Sequence, residues 1–405
     1  MKKRSVTWLF LCCWLTYLTA YLCRVNFSSA LHTLTIEKGF TAAELGVVGA
    51  VFYAIYACGQ LINGYIGDRV QTNRYVLIAL CGTLLCNLGM AFAGSLGMMT
   101  LLWGGNGIFQ SMFWSTIIRG LAQNTKPEKR ATVSMGISLA MPVAYLVSWG
   151  LLGQCLAEAQ SRWYFLVPCM ASLMMILSWI LLSKHYDFTL SEERKSKAGI
   201  RKTVCFLFEE NLQWMIVVCM FHGLIKEGAA YWTPLLIAQM DGFGAIPPHL
   251  LTCVLPLANL VGIVASRALL GRNGSPYSIL VVIFSGIILL CGGLILSSAN
   301  LLIVGLIALV SGMCYASNTI LLSFIPMQYT ERNMVASIIG VFDFASYVGA
   351  SISTYLLGRI LESFGFAPLP VIWLAAAVIA ILLARYTERM KSTTRNGNVS
   401  FQRGS

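Results

Sequence analysis

Apolar stretches of about 20 residues follow one another along almost the whole chain. A stretch of this length is long enough to cross the roughly 30 Å hydrocarbon core of a bilayer as a helix. Because lipid offers no hydrogen bonds to the backbone, such stretches must be helical. The sequence therefore predicts an all-α membrane protein with twelve spans, at 6–31, 42–66, 75–95, 98–121, 131–156, 162–183, 212–238, 248–270, 276–297, 300–325, 334–360 and 367–386.

Charged residues make up only 11% of the 405 residues, whereas they make up about a quarter of a typical soluble protein. The net charge of +12 is carried by short loops, so the sequence has no basic domain that could hold nucleic acid. The 13 cysteines are scattered through apolar stretches, and we expect neither a metal site nor a cofactor. The sequence also lacks the motifs of hydrolases, nucleotide-binding loops and zinc proteases, so we expect a protein that is not an enzyme.

The basic residues are distributed unequally between the two sides of the predicted membrane. Nearly all of the 28 Lys and Arg residues fall at the termini and in every second loop, whereas Lys38, Arg162 and Arg359 fall on the opposite side. Cytoplasmic loops carry the excess of positive charge, so both termini are expected in the cytoplasm. The chain is predicted to be a multi-pass protein of the inner or plasma membrane. The first apolar run is too long for a signal peptide and contains Arg24, so it counts as the first span.

The chain is predicted to consist of two similar halves of six helices each, which the longest loop separates. Arg24 in the first span and Lys226 in the seventh are 202 residues apart (226 − 24), and the glycine-led runs after spans two and eight are 198 residues apart (262 − 64). Such nearly constant offsets indicate an internal duplication. The predicted divisions are an N-terminal half at 1–185, a cytoplasmic linker at 186–211, a C-terminal half at 212–390 and a cytoplasmic tail at 391–405.

Arg24 and Lys226 are the residues that bear most directly on function. A cation at the centre of a membrane costs about 2.5–3.5 kcal/mol or more, and such residues usually face a protein interior or a water-filled cavity. Equivalent positions in two halves can converge near the interface between them, where a guanidinium and an ammonium suit a phosphate or carboxylate. The alternative is that Glu227 or Asp343 neutralises them. Glu227 follows Lys226 directly and is expected to point about 100° away from it around the helix.

Other polar residues share helix faces with these cations or with each other. Tyr17 and Tyr21 form one stripe with Arg24, and their hydroxyl groups suit phosphate oxygens. His222 lies one turn before Lys226 and can bind an anion, carry a proton or simply bond to a neighbouring helix. Gln110 and Tyr347 are further candidate contacts, although polar residues also join helices to one another.

Two acids are candidate proton sites, and one loop motif is a candidate conformational latch. Glu227 and Asp343 are ionisable and lie inside predicted spans, which makes them candidates for proton transfer.

After span two, a glycine that permits close approach of helices precedes an acid–base pair that can hold neighbouring helix ends in one conformation. The residues of this predicted latch are Gly64, Asp68, Arg69 and Arg74.

The latch motif, in a chain of twelve spans, resembles the loop signature of the major facilitator superfamily. Within that superfamily the chain looks like the organophosphate:phosphate antiporter family, which includes glycerol-phosphate and hexose-phosphate transporters. Tyr21–Phe27 reads Tyr-Leu-Cys-Arg-Val-Asn-Phe and is similar to the family's Tyr-Leu-x-Arg-x-Asn-Phe. Phe109–Trp114 is similar to its Phe-Gln-Gly-Met-Gly-Trp, and Tyr347–Ala350 to its Tyr-x-Gly-Gly/Ala. Lys226–Pro234 is similar to its Arg-Tyr-Gly-x-x-Asp-Trp-Ser-Pro, with lysine in place of the arginine and Glu227 as an additional acid.

The resemblance implies that Arg24 and Lys226 contact a substrate phosphate and that transport occurs by alternating access with exchange for inorganic phosphate. We therefore expect a secondary transporter of a small organic anion that acts as a monomer in contact with membrane lipid. Two alternatives remain open. One is proton-coupled symport through Glu227, Asp343 or His222, and the other is a membrane sensor that binds an anion without useful flux. Export of lipophilic drugs fits poorly with paired buried cations.

Overall fold

The computed structural model describes residues 6–66, 71–125, 133, 136–156, 159–182, 200–241, 243–244, 246–270, 275–329, 332 and 334–402. All regular secondary structure within these ranges is helical. The helices are α1 (Val6–Lys38), α2 (Ala42–Ile66), α3 (Thr72–Phe92), α4 (Leu96–Gln110), α5 (Phe113–Asn124), α6 (Gly136–Cys155), α7 (Trp163–Leu182), α8 (Ile200–Glu209), α9 (Gln213–Ala238), α10 (Pro248–Leu269), α11 (Pro276–Leu296), α12 (Asn300–Met327), α13 (Val335–Phe364) and α14 (Leu369–Gln402).

The predicted spans correspond to helices throughout the part of the chain that the structure describes. Ten helices there are long and apolar enough to cross a membrane, namely α1–α3, α6, α7 and α10–α14. The predicted span 98–121 consists of α4 and α5, which are interrupted at Ser111 and Met112, and the span 212–238 is α9. Large apolar side chains project outward from these helices, such as Leu101, Leu289 and Leu296, which are 77–88% exposed. Such faces suit a lipid surrounding, and the chain is a multi-pass membrane protein.

The two halves repeat the same helix packing. In the first half α2 packs against α4 and α3 against α7, and in the second half α10 packs against α12 and α11 against α14. A Cβ atom at Gly107 would lie 2.7 Å from the Phe52 carbonyl oxygen, and one at Gly312 would lie 2.7 Å from the Ala258 carbonyl oxygen. Glycine therefore permits the same close crossing in each half, and these glycines are 205 residues apart (312 − 107). This offset is close to that of the two intramembrane cations.

The halves meet along α2 and α13, at the end of the bundle where α1 ends and α2 begins, which we call the Lys38 end. There the Ser351 hydroxyl donates to the Ala50 carbonyl at 2.8 Å, and the Tyr231 hydroxyl of α9 donates to the Leu45 carbonyl at 2.7 Å. Gly46 packs so closely on α13 that a Cβ atom would lie 2.6 Å from the Thr354 carbonyl oxygen. The two halves are therefore in direct backbone contact at the Lys38 end.

At the opposite end, part of the predicted linker is ordered as α8 and contacts the second half. Glu210, directly after α8, forms ion pairs with Arg332 at 3.9 Å and Lys391 at 3.7 Å. Lys391 also donates a hydrogen bond to the Tyr329 hydroxyl, and the ring of Phe206 meets that of Tyr329 edge-on. Burial and the neighbouring Glu210 carboxylate raise the pKa of Tyr329. The end of the linker is thus attached to the C-terminal half.

The predicted latch lies mostly beyond what can be described. Asp68 and Arg69 fall outside the described residues. Gly64 lies in the last turn of α2, and Arg74 lies in the first turn of α3 with an exposed side chain. The latch therefore stays a prediction.

Candidate functional site

Polar side chains of α3 and α4 hold α1 in place around Arg24. The amide groups of Asn87 and Asn106 both donate to the Cys23 carbonyl, at 3.2 and 3.0 Å. The Asn26 amide in turn donates to the Asn87 side-chain oxygen at 2.8 Å. Such bonds orient a helix strongly in an apolar surrounding, because few other partners are available there. They direct Arg24 toward the interface between the halves, where its side chain is only 5% exposed.

Aromatic rings enclose the Arg24 guanidinium, and we call them the aromatic cage. Its central carbon lies 4.7–5.5 Å from five ring centroids, which belong to Tyr21, Phe52, Tyr53, Tyr56 and Tyr347. These distances are within the range of cation–π attraction, which stabilises a buried positive charge without a negative partner. The rings come from α1, α2 and α13, so both halves contribute to the cage.

Lys226 approaches the same cage from the second half. Its side chain is 7% exposed, and its ammonium nitrogen lies 5.6 Å from the ring centroid of Tyr315 and 5.9 Å from that of Tyr347. Tyr347 therefore faces both cations. This approach depends on a close crossing of α9 and α13, in which Gly223 lies against the Ser346 backbone and Gly349 against the Met220 backbone. The two predicted cations thus converge on one place.

Glu227 lies between the two cations, and here the prediction that it points away from Lys226 is wrong. Its carboxylate is 2.9 Å from the Lys226 ammonium and 3.9 Å from the Arg24 guanidinium. The Tyr53 hydroxyl donates to the same carboxylate at 3.0 Å. The prediction considered only the direction in which each side chain leaves the helix, but the flexible four-carbon stem of lysine lets its ammonium bend back. The alternative in which Glu227 neutralises the cations therefore describes this conformation.

The remaining predicted residues lie at different distances from the cage. Tyr17 packs edge-on against Tyr21 and also contacts Trp114, so it lies one layer behind the cage. His222 is bonded through both ring nitrogens to α12, at 3.0 Å to the Ser317 hydroxyl and 3.3 Å to the Asn318 side-chain oxygen. Of the three roles predicted for His222, this arrangement corresponds to bonding with a neighbouring helix. Asp343 is partly buried one turn before Tyr347.

Gln110 serves as a link between helices in this conformation. Its amide nitrogen donates to the Ala20 carbonyl of α1 at 2.9 Å, and its side chain is buried. We expect Gln110→Ala to lower the free energy of unfolding by about 1 kcal/mol, the typical contribution of such a bond between membrane helices. A thermal unfolding curve of the purified protein in detergent measures this. An unchanged unfolding temperature combined with weaker anion binding would instead assign Gln110 to the substrate.

The chain leaves little empty space beside Arg24. A cavity beside Arg24 is lined by side chains that include Tyr53, Tyr145 and Tyr231, and its volume of about 10 Å³ admits roughly one water molecule. Tyr53, Tyr56 and Tyr145 are not among the residues that the sequence predicted for this site. Tyr53 and Tyr56 lie three residues apart on one helix face, a spacing that could have indicated a shared role. The described part of the chain has no group of three metal-ligating side chains.

Comparisons with known proteins agree with this architecture. Residues 13–354 match the family model of the Major Facilitator Superfamily. A probable hexose phosphate transport protein of Chlamydia trachomatis is 21% identical over 95% of this chain and 91% of its own length. The membrane sensor protein UhpC of Salmonella typhimurium is also 21% identical, over 91% of this chain and 89% of its own length. The crystal structure of the nucleoside transporter NupG aligns with a TM-score of 0.75 at 14% identity, over 94% of this chain and 98% of that one. Because the family model covers most of the chain, the protein belongs to the Major Facilitator Superfamily.

Proposed function

We propose that this protein is a secondary transporter of a small organic anion, a phosphate ester, which it exchanges for inorganic phosphate. One observation carries this proposal. A cation from each half, Arg24 and Lys226, converges on a single buried carboxylate at the interface between the halves. A site that holds a carboxylate between two cations can also bind the anionic group of a substrate in its place.

The side chains around this place favour phosphate over a simple carboxylate. A guanidinium presents a planar fork of donors, and the lysine ammonium adds a point charge. The hydroxyl groups of Tyr21, Tyr56 and Tyr347 supply further donors for the several oxygens of a phosphate group, whereas the Tyr53 hydroxyl is bonded to Glu227. The similarity to a hexose phosphate transport protein supports the same class of substrate.

Alternating access gives the substrate a path to this buried place. With the halves in contact at the Lys38 end, an anion can reach Arg24 from that end only when they move relative to each other. We propose that both termini are cytoplasmic, that the protein resides in the inner or plasma membrane, and that it acts as a monomer. On this topology the Lys38 end faces away from the cytoplasm.

The test is counterflow in proteoliposomes that are loaded with inorganic phosphate and presented with labelled anions. The panel contains hexose phosphates, glycerol phosphate, phosphoglycerate, and carboxylates of similar size. We expect trans-stimulated uptake of at least one phosphate ester, and slower or no uptake of the carboxylates. If no member of the panel moves faster than in protein-free liposomes, the proposed transport activity is refuted.

The similarity to a membrane sensor protein favours a second candidate function, which is anion sensing without useful flux. The two functions differ in one measurable respect. A sensor binds a phosphate ester with the same two cations, but the reconstituted protein moves none of it.

Proton-coupled symport is a third candidate function. An uncoupler abolishes uptake by a proton symporter, whereas uptake by phosphate exchange is much less sensitive to an uncoupler.

A further inference from the structure

We propose that Glu227 is an internal anion that occupies the two cations while the site is empty, and that it takes up one proton when a substrate anion replaces it. This inference rests on the proposed anion transport and specifies how the same site loads. It makes Glu227 the residue that couples substrate binding to a proton.

Glu227 holds the position expected for a substrate anion. Its two carboxylate oxygens are divided between the halves, with one facing Lys226 and the other facing Arg24 and the Tyr53 hydroxyl. The side chain is only 4% exposed. The Glu227 carboxylate is therefore paired with the same two cations that a substrate phosphate requires.

Glu227 and a substrate cannot both be paired with these two cations at the same time. The cavity beside Arg24 has room for about one water molecule, and a phosphate group is larger than that. Substrate oxygens can reach the Lys226 ammonium only if the Glu227 carboxylate moves away from it. The carboxylate would then lose its strongest ionic partner inside an apolar protein, where an uncompensated charge is unfavourable.

The charges around Glu227 are balanced while the site is empty. Its electrostatic neighbours come from α1, α2, α6, α9, α12 and α13, and the titratable ones are Arg24, Tyr53, Tyr145, His222, Lys226, Cys314, Tyr315 and Asp343. With neutral tyrosines, cysteine and histidine, the two cations balance Glu227 and Asp343. An incoming phosphate ester therefore brings negative charge that nothing in the site offsets.

Protonation of Glu227 removes one negative charge from the site, which offsets a monoanionic substrate fully and a dianionic one by half. One proton from the water that admits the substrate binds a carboxylate oxygen of Glu227, and no other covalent bond changes. The Lys226–Glu227 ion pair opens, and the Lys226 ammonium and the Arg24 guanidinium then donate to substrate oxygens. When the substrate leaves, Glu227 returns its proton to water and pairs with Lys226 again. Glu227, rather than Asp343, has this role because it lies within 4 Å of both cations.

The experiment measures the number of protons taken up per inorganic phosphate bound by the purified protein in weakly buffered detergent solution. Wild type is compared with Glu227→Gln, which cannot take up the proton, and with Glu227→Asp, which can. Asp241→Asn is the matched control, because Asp241 is an exposed acid at the Lys38 end. Phosphate itself can gain or lose protons on binding, so the quantity compared is the difference between each variant and wild type at one pH.

We expect Glu227→Gln to bind phosphate at least as tightly as wild type and to take up about one proton fewer per phosphate. Glu227→Asp and Asp241→Asn are expected to match wild type. Equal proton uptake by wild type and Glu227→Gln overturns the inference while leaving anion transport intact. Asp343→Asn is measured in addition, and a loss of the proton in that variant alone also overturns the inference. A folded Glu227→Gln protein that no longer binds phosphate also overturns it. If wild type binds neither phosphate nor any ester, the proposed function fails as well.

A second variant covers the case in which Glu227→Gln does not fold. Tyr53→Phe removes the hydroxyl that donates to the Glu227 carboxylate and keeps the aromatic ring of the cage. Since that hydrogen bond stabilises the charged carboxylate, its loss makes displacement by phosphate easier. We expect Tyr53→Phe to bind phosphate more tightly than wild type at alkaline pH. Unchanged or weaker binding there contradicts the role of Glu227 as a competing anion.

Discussion

Counterflow of phosphate esters is expected to fall by about 100-fold or more when Arg24 is replaced by alanine. The guanidinium is the positive charge that the first half contributes to the site. The aromatic cage orients this charge, and no cage residue is an acid that would neutralise it. Removal of one partner from a buried charged contact typically costs about 3–5 kcal/mol, and every 1.4 kcal/mol corresponds to a factor of about ten in binding. Initial rates of counterflow in proteoliposomes with matched protein content measure the effect.

Lys226→Ala is expected to abolish counterflow equally, because it leaves Glu227 buried beside Arg24 with no charge for the substrate on the second half. Lys226→Arg keeps the positive charge and adds a fork of donors, so it is expected to retain transport. Arg162→Ala is the matched control, since Arg162 is an exposed cation that stacks on Trp163 at the Lys38 end. Rates like those of wild type in Arg24→Ala or Lys226→Ala would exclude the site proposed for these residues.

The course of the chain through the membrane could be predicted because it depends on length and hydropathy. The predicted span 42–66 coincides with α2, and the span 276–297 coincides with α11 to within one residue. The first helix was predicted to end at 31 but continues to Lys38. Its last turns exceed the thickness of the membrane, a length that hydropathy cannot detect. The interruption between α4 and α5 is likewise a local backbone feature, and no proline marks it in the sequence.

The cations of the site could be predicted, but their surroundings could not. A positive charge inside an apolar stretch is conspicuous, and the offset between Arg24 and Lys226, nearly equal to that between the two glycine-led runs, indicated that they would meet. The partners of these cations depend instead on how helices cross. Tyr53 and Tyr56 look like ordinary residues of a span until α2 is placed against α13. The contact between Lys226 and Glu227 depends on side-chain rotation, which residue spacing does not determine.

The crossing of α9 and α13 positions the second cation, and this makes its two glycines the most sensitive packing positions near the site. Gly349 of α13 lies directly against the Met220 backbone, and Gly223 of α9 lies against the Ser346 backbone. A methyl group at either position overlaps main-chain atoms of the other helix, which cannot rotate away as a side chain can. The helices must then separate, and Tyr347, two residues before Gly349, moves away from Lys226.

We therefore expect Gly349→Ala to destabilise the protein by about 3 kcal/mol, the upper part of the range for overpacked interiors. At about 2–4 °C per kcal/mol for 150–250 residues, the size of one half, the unfolding temperature in detergent falls by roughly 6–12 °C. Counterflow falls as well, because Lys226 and Arg24 no longer face the same anion. Gly305→Ala is the matched control, since Gly305 lies in α12 with open space around it and alanine favours the helix. If both variants unfold at the same temperature, the close crossing of α9 and α13 does not hold the site together.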